Sequence, residues 1–308
     1  MLHDLLVGST GFVGGNLAAS HAFYASCHST NIARYYGSHP GLCVYAGVPA
    51  AMFLANNNPE ADLEVVRQAR ENIRGIAPEK LVLISTIAVY ADSRRQAEDD
   101  APSRDKLPAY GLNRLQLEQW VREDFPQALI VRLPALYGIG LKKNFLFDLL
   151  TLTPAMLTAA KFAELAGVSP LIRRGYSLAD NGFYQPNGTV DAAGLRTFFE
   201  HHSFNALSFT DSRSRYQFYN LTRLWSDISL AVKAGLSLLH LATPPVSAAE
   251  VYESVTGFKG WVNELPKTPF DYDLHTNYAF LLGGSGSYLC TKDEEMADIC
   301  TFMKQANR

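Results

Sequence analysis

The chain opens with a short apolar run, Leu2 to Val7, that stops at Gly8. The stretch that follows, GSTGFVGGNLAASHAF, reads as a tight turn entering a helix. Later runs at Leu42 to Gly47, Lys80 to Thr86 and Ala128 to Gly138 are continuously apolar and rich in Val, Ile and Leu. Unbroken runs of this kind fit strands covered on both faces, as in a parallel sheet. Between them, Glu60 to Ile76 and Tyr110 to Glu123 carry apolar residues at helical spacing. Strands alternating with helices predict an α/β fold, a Rossmann-like doubly wound parallel sheet.

Beyond Gly138 the pattern changes to longer helices and loops rich in Phe and Tyr. Strand character returns at Tyr216 to Leu221 and Leu236 to Ala242, which suggests that the chain comes back to extend the first sheet. A final amphipathic stretch, Lys292 to Lys304, predicts a closing helix. The expected division is a domain over 1–138, with 216–245 returning to it, and a smaller C-terminal region over 139–215 and 246–308. A crossover of only about a dozen residues leads from the second strand to Leu42, near the minimum for such a connection. It leaves no room for the further strand and helix found in most dinucleotide folds.

Composition narrows the function. With 308 residues and 47% hydrophobic content the chain can bury a sizeable core. A net charge of −3, with lysines and arginines scattered among acids, gives no footprint for nucleic acid. Cys27, Cys43, Cys290 and Cys300 show neither CxxC spacing nor a His/Cys cluster, so they read as buried small hydrophobes, with no zinc site and no disulfide framework. No apolar stretch is long enough to span a bilayer, and the opening residues lack the cationic start of a signal peptide. The expectation is a cytoplasmic protein with no nucleic-acid or membrane partner and no bound metal.

Gly8, Gly11 and Gly14 form GxxGxxG between strand and helix. Glycines there let the backbone approach a pyrophosphate, which the helix N-terminus stabilises. An acid that would accept from the adenosine ribose is expected about 20 residues on. None occurs between Asp4 and Glu60; His28, Ser29, Asn31 and Arg34 occupy that place, which leans the cofactor towards NADP.

GSTGFVGG, LVLISTIAVY, YGLNR and VRLPALYG, in that order, resemble the extended short-chain dehydrogenase/reductase superfamily, specifically its NAD(P)-dependent epimerase/dehydratase group acting on nucleotide sugars. The resemblance implies that Tyr110 is the general acid/base and that Thr86 polarises the substrate oxygen. Arg114 stands where the family has a lysine that binds the nicotinamide ribose and lowers the tyrosine pKa. It further implies cofactor contacts at Thr10, Phe12, Val13, Ala46, Gly47, Ser85, Leu133 and Pro134, besides Tyr110 and Arg114. Lys142, Lys143, Asn144 and Arg215, with Arg213 nearby, are expected near a substrate diphosphate.

Family dehydratases carry Asp and Glu after the threonine. Ile87 and Ala88 stand here, which disfavours 4,6-dehydration and leaves epimerase or ketosugar reductase chemistry. The alternative is an NAD(P)-binding sensor or scaffold with little or no catalysis, which the arginine in place of lysine favours. A homodimer would be in keeping with the superfamily.

Overall fold

The computed structural model describes residues 3–306, so Leu2, counted with the first strand by its pattern, lies outside the described residues. In chain order the elements are β1 (Asp4–Val7), α1 (Phe12–Ser20), β2 (Ala25–Cys27), β3 (Leu42–Tyr45), α2 (Met52–Asn57), α3 (Pro59–Ile76) and β4 (Leu81–Thr86). There follow α4 (Ala109–Asp124), β5 (Leu129–Leu133), β6 (Ala135–Tyr137), α5 (Phe145–Thr151), α6 (Ala159–Val168), α7 (Pro170–Gly175), β7 (Tyr176–Leu178), β8 (Tyr184–Pro186) and α8 (Ala192–Glu200). The chain ends with β9 (Arg215–Tyr216), β10 (Phe218–Asn220), α9 (Leu224–Lys233), β11 (Leu238–His240), β12 (Val246–Ser247), α10 (Ala248–Thr256) and α11 (Lys292–Ala306).

Two compact units result. The first comprises the chain up to Leu141, Arg215–Val246 and Asp271–Asp298; the second comprises Lys142–Ser214, Ser247–Phe270 and the chain from Ile299. In the first, six strands in the order β11-β5-β4-β3-β1-β2 form a sheet whose pairs are all parallel. Leu5, Val7, Cys43, Leu81, Leu83 and Ile130 face α3 and α4, burying against Val66, Ile73, Leu117 and Val121. Leu6, Val44, Val82, Val131 and Leu239 face the other way, against Leu17 of α1 and Leu224 and Ile228 of α9. Both faces are covered, which is why the strand sequences are apolar without alternation.

Several details depart from the sequence expectation. The run Ala128 to Gly138 is not one strand: Pro134, which has no N–H to donate to a ladder, divides β5 from β6. β11 extends the central sheet beside β5, but β10 pairs with β6 in a separate two-stranded sheet, so only one of the two returning strands joins the first sheet. A single 3-10 turn, Ile32–Tyr35, carries the chain from β2 to β3, and the sheet ends at β2.

The segment Asp271–Asp298, assigned by pattern to the second region, packs within the first unit. There Leu274 N donates to Gln217 Oε1 at 2.7 Å, and the Glu98 carboxylate accepts from Thr276 Oγ1 and Asn277 N. Cys27 and Cys43 are buried, and desolvation pushes the Cys27 thiol up to about 11; Cys290 and Cys300 are only half-buried, contrary to the expectation of four buried thiols.

The second unit has its own core of Leu157, Leu165, Ile172, Tyr176, Leu195 and Phe199. Phe162 stacks on Tyr184 with ring centroids 3.8 Å apart, and Tyr176 Oη donates to Pro154 O at 2.7 Å.

A buried polar network fastens α4 to the sheet. Arg132 on β5 donates from Nη2 to Glu118 Oε2 at 2.5 Å and from Nε to Oε1 at 3.0 Å, and both side chains are 1% exposed. Ser85 on β4 donates to the same Glu118 at 2.5 Å, while Arg132 Nη1 reaches Tyr90 Oη at 2.7 Å and His240 Nε2 at 3.2 Å. Desolvation, helped by the Arg132 charge, pushes His240 down to about 3, so it accepts as a neutral ring. Gly111 completes the seating: a Cβ there would collide with the Ala88 carbonyl oxygen, so only glycine lets the first turn of α4 approach the end of β4.

Two predictions follow from these contacts. Glu118→Ala leaves Arg132 charged and unpaired in the core and should cost about 3–5 kcal/mol in urea unfolding. The second concerns Glu295 on α11, 4% exposed, whose Oε2 accepts from Cys290 Sγ. Burial, with the Asp298 charge adding, pushes Glu295 up from 4.5 to about 8, so the folded chain holds a proton that the unfolded chain releases. Its stabilisation is whole below about pH 4.5 and is lost as pH rises through about 8. The thermal midpoint should therefore fall across that window, and Glu295→Gln should flatten the fall.

Candidate active site

The C-terminal ends of parallel strands β1, β3 and β4 lie along one edge of the sheet, where ligands bind in open α/β folds. At β1, Gly8 has φ +89°, and a Cβ on it would sit 2.5 Å from Ala46 O. A Cβ on Gly14 would collide with Gly8 O. These two glycines are therefore required by the chain's own close packing. Gly11 is different: it is exposed, and a Cβ there would meet only Gly8 O at 3.3 Å.

Gly11 is the N-cap of α1, no side chain caps it, and the first turn holds no acid. Thr10 is exposed beside it, while Phe12 and Val13 enter the helix half-buried. A helix start with no side-chain cap, at an exposed glycine, fits a pyrophosphate.

At the end of β2, Asn31 Oδ1 accepts from His28 N at 2.8 Å and His28 Nδ1 pairs with Thr30 Oγ1 at 3.0 Å. Ser29 and Arg34 are exposed there, and no acid stands among them. Ala46 N donates to Val7 O at 2.9 Å, which ties the end of β3 to β1 beside the exposed Gly47.

At the end of β4, Thr86 is half-buried and its Oγ1 accepts from Ala88 N at 3.2 Å. Tyr110, on the first turn of α4, is 6% exposed. Burial raises its phenol above the ordinary 10, against the lowering effect of the Arg114 charge and of a hydrogen bond with Thr86; the Asp62 charge adds to the rise. The two hydroxyls expected to act together are thus adjacent. Arg114 places its guanidinium carbon 4.5 Å from the centre of the Tyr110 ring. The i, i+4 pair therefore forms one unit in space.

Arg114 is engaged elsewhere as well, donating to Asp62 from Nη1 and Nη2 at 3.0 Å each and to Pro49 O from Nη2 at 2.8 Å. Ser85, expected beside the cofactor, gives its hydroxyl to Glu118, and Leu133 and Pro134 are buried. Arg215 pairs with Asp271 at 3.1 Å.

In the second unit, Lys142 and Lys143 are exposed, and Asn144 caps α5 by accepting from Leu146 N at 3.0 Å and Phe147 N at 3.3 Å. Arg213 is held by Asp211 and Glu264. A cavity of about 290 Å³ in the first unit, lined by Tyr137, Asn220, Arg223, Cys290 and Glu295 among others, includes none of the residues expected from sequence.

Sequence reasoning missed Gly111, Asp62, Glu118 and Arg132. Glu118 continues the four-residue spacing of Tyr110 and Arg114, and that extension was the available signal. Asp62, on the preceding helix α3, left no local one.

The family model described as RmlD substrate binding domain matches residues 5–159. No curated protein matches the sequence. Among solved structures, a dTDP-4-dehydrorhamnose reductase from Yersinia enterocolitica superposes with a TM-score of 0.65 at 14% identity, covering 100% of both chains. A dTDP-4-dehydrorhamnose reductase from Bacillus anthracis str. Ames, solved with NADP, gives 0.64 at 15% identity, with 99% of each chain covered. A UDP-glucose 4-epimerase from Thermotoga maritima, solved with UDP-glucose, gives 0.62 at 11%, covering 99% of this chain and 100% of the other. At such identities the structures establish a shared fold, and the family match adds membership. The chain belongs to the RmlD substrate-binding-domain family, within the extended short-chain dehydrogenase/reductase superfamily.

Proposed function

We propose that the protein is an NAD(P)-dependent epimerase or ketosugar reductase acting on a nucleotide-linked sugar. The observation that carries this reading is the meeting of Thr86, Tyr110 and Arg114 at the sheet edge to which the glycine turn also belongs. When bound, the nicotinamide supplies or accepts hydride. Gly11 and the uncapped start of α1 hold the pyrophosphate, and the acid-free turn from His28 to Arg34 suits a 2′-phosphate. The Thr86 hydroxyl orients the sugar oxygen, and the Tyr110 phenol exchanges the proton with it. Arg215, of the same unit, would meet the diphosphate.

The Arg114–Asp62 pair favours a second reading, an NAD(P)-binding sensor or scaffold with weak turnover. The lysine of the family has been replaced by a cation already engaged by a carboxylate.

A titration with NADPH and NADH, read by energy transfer from tryptophan to nicotinamide, should give micromolar binding with preference for NADPH. With nucleotide-linked ketosugars supplied, Tyr110→Phe should lower turnover by on the order of 10²–10⁴-fold and leave cofactor affinity nearly intact. Binding without turnover in wild type would select the sensor reading. Absence of binding to either nucleotide would remove both.

A further inference from the structure

A lysine at position 114 would act on the tyrosine as a compact, mobile point charge. The arginine present is held. Its Nη1 and Nη2 grip both oxygens of Asp62, Nη2 also donates to Pro49 O, and the side chains of Arg114 and Asp62 are 5% and 11% exposed. Asp62 is fixed in turn by Asn113 Nδ2, which donates to Oδ2 at 2.9 Å and to Pro59 O at 3.1 Å. The start of α4 is tied to the same neighbourhood by Tyr110 N, which donates to Asn56 Oδ1 at 2.9 Å. The guanidinium lies over the Tyr110 ring, within the same buried cluster.

A cation and a carboxylate in contact present the phenol with a dipole instead of a net charge. Its field falls off faster than that of a lone cation. Burial raises the phenol most; the ionisable groups acting on it are Arg114 on its own helix and Asp62 on α3, and β4 contributes the Thr86 hydroxyl.

We propose that Asp62 is a positioning residue that, by neutralising Arg114, keeps Tyr110 a proton donor and so sets the site for reduction of a ketosugar instead of oxidation of an alcohol. The direction rests on the nicotinamide reading above. In it, Tyr110 Oη–H gives its proton to the ketone oxygen as hydride from a dihydronicotinamide adds to the carbonyl carbon. The π pair of the C=O bond forms the new O–H bond, the ketone is reduced and the dihydronicotinamide oxidised. The phenolate left behind regains its proton from water. In the reverse direction, a phenol held protonated is a poor acceptor of the alcohol proton.

The test is a pH titration of the full chain labelled with ¹³Cζ-tyrosine, followed by NMR without cofactor or substrate, the Tyr110 signal being assigned by its loss in Tyr110→Phe. The wild-type signal should not titrate below about pH 10, the ordinary tyrosine range. In Asp62→Asn the midpoint should drop by about one to three pH units, the usual effect of an uncompensated cation nearby. Asp62→Glu should restore wild-type behaviour. A wild-type midpoint below about pH 9 overturns the proposal whether or not the variants fold, as does a folded Asp62→Asn with an unmoved midpoint. Because no nucleotide is present, failure of NADPH binding would sink the nicotinamide reading and the direction drawn from it, but not the role of Asp62 in holding the proton.

Discussion

The pairing of Glu118 with Arg132 is the constraint on which the rest of the first unit depends. Two charges taken out of water carry a desolvation cost of several kcal/mol each, offset only where geometry and further hydrogen bonds are right. Here Ser85, Tyr90 and His240 complete the set from β4, the turn after it and β11. A slip of α4 by one residue would break the bonds of Glu118 to both Arg132 and Ser85. The helix therefore has one register on the sheet, and Tyr110, two turns before Glu118, inherits its position from it.

Much of this architecture was legible in the residues. Apolar strands covered on both faces follow from unbroken Val/Ile/Leu runs, and α3 and α4 follow from helical spacing, because burial imposes those periods directly. The adjacency of Thr86 and Tyr110 was also foreseeable, through four ordered motifs. What escaped was set by tertiary pairing. β10 has the composition of any sheet strand, and nothing local says that β6 is its partner. Asp271–Asp298 is loop for most of its length, and its place is fixed by individual hydrogen bonds to Gln217 and Glu98 that leave no period in the sequence. The grip of Asp62 on Arg114 spans 52 positions and belongs to the same class.

The glycine turn shows how one motif can have two causes. Gly8 and Gly14 answer to steric demands of the strand, the loop and the helix on one another, whereas Gly11 is exposed and a Cβ on it would make a milder contact, 3.3 Å from Gly8 O. A glycine pattern of this kind therefore reports a fold at two positions and room for a ligand at the third.

The abbreviated crossover after β2 has a consequence for how the molecule meets its own kind. Because the sheet stops at β2, that strand presents a free margin of backbone donors and acceptors to any strand that drifts alongside. Its extent is the safeguard. Three residues offer too short a ladder for a stranger to zip onto, and the carbonyl of Cys27 is turned inward to the amides of Gly8 and Ser9 that follow β1. Truncating the fold there, instead of ending it on a long strand, spares the protein a ready template for aggregation.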